Sequence, residues 1–245
     1  MAATRQPEPV PPTLHVLCAG AVQGLVKALQ ATFEKRCGAT LHGRFGAVGA
    51  LKEALMGGAP CDVLVVTDAM LRALQGNGAI ESDGAAPIGR VRTGVAARAG
   101  EPLPRVDSPD ALKAALLAAA AFYVPDILKS TAGQHIASVL ERLDVRRTLG
   151  TRLMVYPNGA SAMEALAERG VAGSIGCTQV TEILYTPGLA LAGPLPDPFG
   201  LATVYSAGVS TMARDTALAA AFTAMLCGAD TATLRESGGF EPPDA

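Results

Sequence analysis

The stretch from Leu14 to Glu34 limits the possible folds more than any other. Leu14 to Leu17 is a short apolar run that meets a turn of small residues, Cys18-Ala19-Gly20-Ala21. Beyond the turn, Val22, Leu25, Leu29 and Phe33 recur at steps of three and four. That pattern is a buried strand feeding an amphipathic helix. The first amides of such a helix have no partner within it, and they carry partial positive charge back toward the turn. Small side chains at the turn let an anion come close to them. A small anionic ligand is therefore the first functional expectation.

The pattern repeats along the chain. Thr40 to Arg44 reads as a strand, and Gly46 to Met56 as a helix after a second turn of small residues. Asp62 to Val66 is a buried strand, and Thr67 caps a helix running through Leu74. Arg90 to Arg98 reads as extended, and Ser108-Pro109 as a helix cap followed by an N1 proline. Ala121 to Val124, Arg152 to Tyr156 and Val171 to Cys177 read as strands, separated by helices over Thr131 to Leu143 and Ala160 to Arg169. A helical turn over Gln179 to Leu184, strands over Leu189 to Ala192 and Thr203 to Val209, and a helix over Asp215 to Cys227 complete the reading.

Repeated strand–helix units predict an α/β protein with mainly parallel sheets, helices on both faces, and a ligand at the carboxyl ends of the strands. Two stretches break the pattern, Arg90 to Arg105 and Gly193 to Gly200, and both read as crossings between lobes. The expected division is a disordered lead-in over 1–13, a first lobe of 14–92 plus 200–236, a second lobe of 93–199, and a loose tail over 237–245.

Composition excludes several classes. At 245 residues and 49% hydrophobic, the chain can bury a sizeable core. A net charge of −2, with 4% aromatics and no Trp, gives no basic face or stacking platform for nucleic acid. No apolar run is long enough to predict a membrane span; the most apolar patch, Ala111 to Val124, carries Lys113 and ends at Pro125. The five cysteines are odd in number and without paired spacing, which predicts reduced thiols. Met1 to Pro12 lacks the features of a secretory signal, so the chain as written is expected in the cytoplasm, or in the periplasm if a leader is missing from it. There is no GxxxxGK[ST] loop and no GxSxG elbow, and CAGAVQG is not a dinucleotide fingerprint. His15 and His42 lack partners at metal spacing, so neither a metal nor a cofactor is expected.

The order VLCAGAV, RFGAVGALKEAL, CDVLVVTDAMLRAL, then GVAARAG, STAGQHI and ATVYSAGVS resembles the molybdate-type branch of the periplasmic binding proteins, over residues 14 to 236. The resemblance implies a two-lobe type II fold that closes on an anion in an interlobe cleft. Members bind molybdate or tungstate and hand it to an ABC permease, which would be a partner here only if the chain is exported. Some relatives resemble an aconitate isomerase, in which the fold works on a small tricarboxylate.

Carried over residue by residue, the resemblance implies a first contact at Cys18 and Ala19, where the family usually has a Ser. The second is at Gly46, Ala47 and Val48, where another hydroxyl is missing. The third is at Ser130, Thr131 and Gly133, and the fourth at Asn158, Gly159, Ala160 and Ser161. A tyrosine commonly closes the cleft from the second lobe; here the matching region, Cys177-Thr178-Gln179, has none, and Thr178 stands in the contact set. Lys129 is a candidate counter-charge for a carboxylate, whereas Arg44, Glu164 and Glu168 read as surface. Two functions follow. The first is a binding protein for a molybdate-like oxyanion or small carboxylate. The second is a cytoplasmic isomerase of a small polycarboxylate, for which His135 is the best base by residue type and Cys18 the next.

Overall fold

The computed structural model describes residues 11–244. Most of the lead-in expected over 1–13 lies outside those residues, but Thr13 already belongs to a strand, and the Pro12 carbonyl accepts from Thr40 N–H at 2.8 Å.

The chain first lays down β1 (Thr13–Ala19), α1 (Gly20–Cys37), β2 (Thr40–Gly46), α2 (Val48–Met56), β3 (Val63–Thr67) and α3 (Asp68–Gly76). β1 pairs in parallel with β2 on one side and β3 on the other. β4 (Ile80–Arg98) then runs out of this sheet into a second one. There follow α4 (Pro109–Ala118), β5 (Phe122–Pro125), α5 (Thr131–Arg142), α6 (Arg146–Leu149), β6 (Leu153–Tyr156), α7 (Gly159–Arg169), β7 (Ile175–Gln179), α8 (Val180–Leu184) and β8 (Leu189–Pro194). β5 pairs in parallel with β6 and β7, repeating the arrangement of β1 with β2 and β3. β9 (Ala202–Ser210) returns to the first sheet, and α9 (Thr216–Cys227) and α10 (Ala232–Ser237) end the chain.

Each sheet is thus a parallel core of three strands extended by crossing strands. β9 inserts antiparallel between β3 and β4 in the first, and the far half of β4 inserts antiparallel between β7 and β8 in the second. The two sheets share β4.

Side-chain alternation sorts the core. In the second lobe Val95, Phe122, Val124 and Cys177 face one helical layer, with Leu112, Leu116, Ile136 and Leu140. Their neighbours Ala96 and Tyr123 face the other, with Met163, Leu166 and Ile183. That period of two places helices on both faces of the sheet. In the first lobe, Val22, Leu25, Leu29 and Phe33 form the buried stripe of α1, and the Phe33 ring meets that of Phe222 on α9 edge-on at 4.8 Å. The end of the chain therefore completes the core that its beginning started.

Several boundaries differ from expectation. β4 begins at Ile80 rather than Arg90, because bulges near Ile80–Ala85 and Pro87–Gly89 hide the alternation. β7 begins at Ile175 rather than Val171, since Gly173 turns the chain at φ 79° and its N–H donates to Glu101. Gly46 ends β2, and the helix starts at Val48. The tail from Ser237, read as loose, is tied down: Phe240 is buried, and Glu241 pairs with Arg90 at 2.8 Å and Arg92 at 2.7 Å. No single helix among the described residues is long and apolar enough to cross a membrane.

Candidate functional site

Register brings the strand ends together. Ala19 pairs with Gly46, so α1 and α2 start side by side at one edge of the first lobe. Pro125 pairs with Tyr156, which sets the loops leading to α5 and α7 side by side in the second. The two edges face each other across a cleft. Where they meet is an enclosed space of about 20 Å³, walled by the starts of α1, α2, α5, α7 and α8 and by Tyr205 of β9.

The lobes are in contact around it. Lys129 Nζ lies 3.1 Å from Glu53 of α2, so the cation suggested as a carboxylate partner is held in an exposed ion pair at the rim. A side chain at Gly49 would press on the Lys129 carbonyl, and one at Gly24 would strike the Tyr185 ring. Glycines on α1 and α2 thereby allow the close approach of the second lobe.

The helix starts are not alike. Ala19 precedes α1 and Ala47 precedes α2, and neither start has a side-chain cap. Ser130 caps α5 by accepting from Gly133 N–H at 3.4 Å. Asn158 accepts from Ser161 N–H at 2.9 Å while the Ser161 hydroxyl accepts from Asn158 N–H at 3.3 Å, a reciprocal cap on α7.

Of the residues singled out from the sequence, Ala19, Gly46, Ala47, Val48, Ser130, Thr131, Asn158 and Gly159 line the space. Gly133 does not; it packs against the Asp126 carbonyl, where no side chain fits. Ala160 and Thr178 act one step back, by hydrogen bonding to a carboxylate that does line it. Cys18 is buried in the first-lobe core and its Sγ donates to the Ala19 carbonyl at 3.3 Å; burial alone pushes the thiol far up. His135 lies elsewhere, with Nε2 2.7 Å from the Phe199 carbonyl in the second crossing. The structure therefore places neither candidate base, His135 or Cys18, in the wall of the space. His15 is held by Asp62, and no cluster of three or more His, Cys, Asp or Glu suited to a metal exists among the described residues.

Three polar side chains of the wall were not among the predicted site residues. Gln179 occupies the region where the resemblance implied a tyrosine, and its Nε2 donates to the Tyr205 hydroxyl at 3.2 Å. A phenol thus reaches the cavity from β9 rather than from the second-lobe strand. Glu182, on the first turn of α8, is the third. Thr178 donates to its Oε2, and the N–H groups of Gln179 and Ala160 also bond to its carboxylate. A methyl group at Gly20 or Gly159 would collide with that carboxylate. Burial pushes the Glu182 carboxyl up to about 7 against the lowering effect of these donors. The sequence signal was the spacing Gln179-x-x-Glu182, a helix start with an acid three residues on.

This architecture, two α/β lobes joined by crossings around a cleft lined by helix starts, defines a periplasmic-binding-protein fold of type II. The model of the bacterial extracellular solute-binding protein family matches residues 14–241, and the chain belongs to that family. It is similar in structure to the Azotobacter vinelandii periplasmic molybdate-binding protein, with TM-score 0.76 and 18% identity over 94% of this chain and 99% of that one. The sulfate-binding protein of Mycobacterium tuberculosis superposes with TM-score 0.68 and 17% identity, covering 95% and 88%. In sequence, the chain is 26% identical to an aconitate isomerase from Pseudomonas sp over 239 residues, 95% of this chain and 89% of that protein.

Proposed function

We propose that this protein binds a compact anion, an oxyanion or a small carboxylate, between its lobes, and holds it with main-chain amides rather than cationic side chains. The observation that carries this reading is the convergence of five helix starts on one enclosed space whose wall, among the described residues, contains no Lys, Arg or His. Each start carries partial positive charge, which an enclosed site strengthens. The uncapped starts of α1 and α2 leave their amides free for a ligand, and Thr131 adds a hydroxyl. A space of about 20 Å³ is little more than a water needs, so a compact anion enters with less opening of the lobes than a tricarboxylate. The similar proteins named for molybdate and sulfate support this reading. An exported protein of this kind would deliver its anion to an ABC permease. Calorimetry with molybdate, tungstate, sulfate, phosphate, malate and citrate tests the proposal; one compact anion is expected to bind well above the rest, and no heat from any of them overturns it.

A second reading, a polycarboxylate isomerase, is favoured by Glu182. A carboxyl near neutral pKa inside a closed site suits general-base work, and one relative is an aconitate isomerase. Glu182, not His135 or Cys18, would then take a proton from one carbon and return it to another while helix-start amides hold the carboxylates. Incubation with trans-aconitate, followed by NMR for the cis isomer, decides it. Turnover that disappears in Glu182→Gln establishes the isomerase; no turnover leaves the binding protein.

A further inference from the structure

An anion site built from amides does not account for Glu182. A carboxylate on the wall of such a site is itself an anion, standing beside the place a ligand would take. Its Oε2 is held by the Thr178 hydroxyl next to Gly159, and its Oε1 lies against Gly20 at the start of α1. Among the described residues, no side-chain cation lines the space to separate two negative groups. A second, independent feature points the same way. Gln179 is 2% exposed and lines the same space, its Nε2 is used by Tyr205, and its Oε1 has no hydrogen-bond partner. Buried acceptors without a donor are costly. The wall of the cavity therefore holds acceptors from the second lobe as well as the amides of the helix starts.

We propose that the bound anion shares one proton with Glu182, so that the cleft selects anions that carry a hydrogen, hydrogen phosphate or a hydroxy-carboxylate, over sulfate and molybdate, which carry none. The inference rests on the anion-site reading above and narrows its ligand class. Two like charges in contact in an enclosed site need a proton between them. Either the ligand brings the hydrogen, or Glu182 takes one from solvent as the ligand binds. The carboxyl, pushed up to about 7 by burial, is ready to do so near neutral pH and resists it in alkali. The groups around it do not confuse the response. Tyr205 on β9 and Cys18 on β1 are held protonated by burial. α1 presents Gly20, α7 presents Asn158, Gly159 and Ala160, and β7 presents Thr178, none of which titrates.

The test is calorimetry on the full chain with sulfate, molybdate, phosphate and malate from pH 6 to 9, each in two buffers of different ionisation enthalpy. Sulfate and molybdate are expected to take up close to one proton above pH 7 and to lose about tenfold in affinity per pH unit there. Phosphate and malate keep their affinity at pH 8. Glu182→Gln is expected to flatten the sulfate profile and raise sulfate affinity at pH 9 about a hundredfold. Sulfate or molybdate bound without proton uptake and with flat pH dependence overturns the shared proton and leaves the anion site standing. No binding of any of the four at any pH overturns both. Should Glu182→Gln fail to fold, the proton count of the unaltered protein decides alone.

Discussion

Across the cleft, the two lobes present different chemistry from the same kind of element. On the first lobe, α1 and α2 start behind Ala19 and Ala47, with no capping side chain. On the second, Ser130 caps α5, Asn158 and Ser161 cap α7, and Glu182 reaches back toward the Gln179 amide at the start of α8. An Ala where Ser, Asn or Asp is preferred costs a helix about 1 kcal/mol. Two such positions on one edge leave the first amides of α1 and α2 without a side-chain acceptor, at the expense of the fold. The second lobe satisfies its own helix starts and faces the cleft with side chains: Thr131, Gln179 and Glu182. On the readings proposed above, one lobe cradles charge, while the other reads what the anion carries. The glycines that let them meet, Gly20, Gly24 and Gly49, all stand on the cradling side.

The sharpest way to break this contrast is to cap the first lobe. Ala47→Asp places a carboxylate over the amides at the start of α2. Thermal unfolding is expected to shift upward by the worth of a cap, about 1 kcal/mol, while anion affinity by calorimetry falls about a hundredfold or more, since the new charge takes the ligand's place. Unchanged affinity would remove α2 from the site. Next in size is Glu182→Gln, read as stability against pH. The Glu182 carboxyl is raised in the folded state, from 4.5 to about 7. The folded protein therefore binds more protons than the unfolded chain between those values, and this group's contribution is full below 4.5 and lost as pH rises through 7. The variant is expected to match the unaltered protein near pH 4.5 and to exceed it at pH 8 by on the order of 3 kcal/mol in denaturant unfolding. Equal stability at both pH values would place the carboxyl in contact with solvent.

The strand-to-helix corners were legible in the sequence, and the meeting of Gln179, Glu182 and Tyr205 was not. Turns of small residues between an apolar run and a helical period are a local pattern, so the corners at Ala19 and at Gly46-Ala47 were readable from their neighbours alone, while their place as ligand contacts came from the resemblance. Ser130 and Asn158 carried the cap signature that the structure shows. Gln179, Glu182 and Tyr205 meet only through the crossing strands: Tyr205 sits on β9 between β3 and β4, and Gln179 pairs with Thr93 of β4. No local spacing brings them together. Cys18 stands behind the space for a geometric reason, since it is buried in the first-lobe core and the next residue, Ala19, is the one at the turn. The start of β4 was obscured by bulges that break the period of two on which strand recognition depends.

A smaller effect sharpens the contrast from the second lobe. Ser130→Ala removes the cap of α5, whose acceptor serves Gly133 N–H. Stability is expected to fall by about 1 kcal/mol, seen as a lower unfolding temperature, with affinity changed by only a few-fold, because that amide belongs to the helix rather than to the ligand. A large loss of affinity with stability intact would mean that the hydroxyl turns to the ligand, and that the second lobe also offers donors from its helix starts.

The smallest expected effect on binding is at Cys18. Its sulfur faces the first-lobe core and donates to the Ala19 carbonyl. Cys18→Ala leaves a hole of one sulfur atom in packed surroundings, at a cost of about 1 kcal/mol in unfolding free energy. The backbone of β1 is fixed on both sides, by β2 and β3, so the Gly20 amide stays where it is. Calorimetric affinity for every anion that binds the unaltered protein is expected to be the same in the variant. A uniform tenfold loss would show that the thiol reaches the ligand; the first lobe would then own a side-chain donor, and its distinction from the second would rest on Ala47 alone.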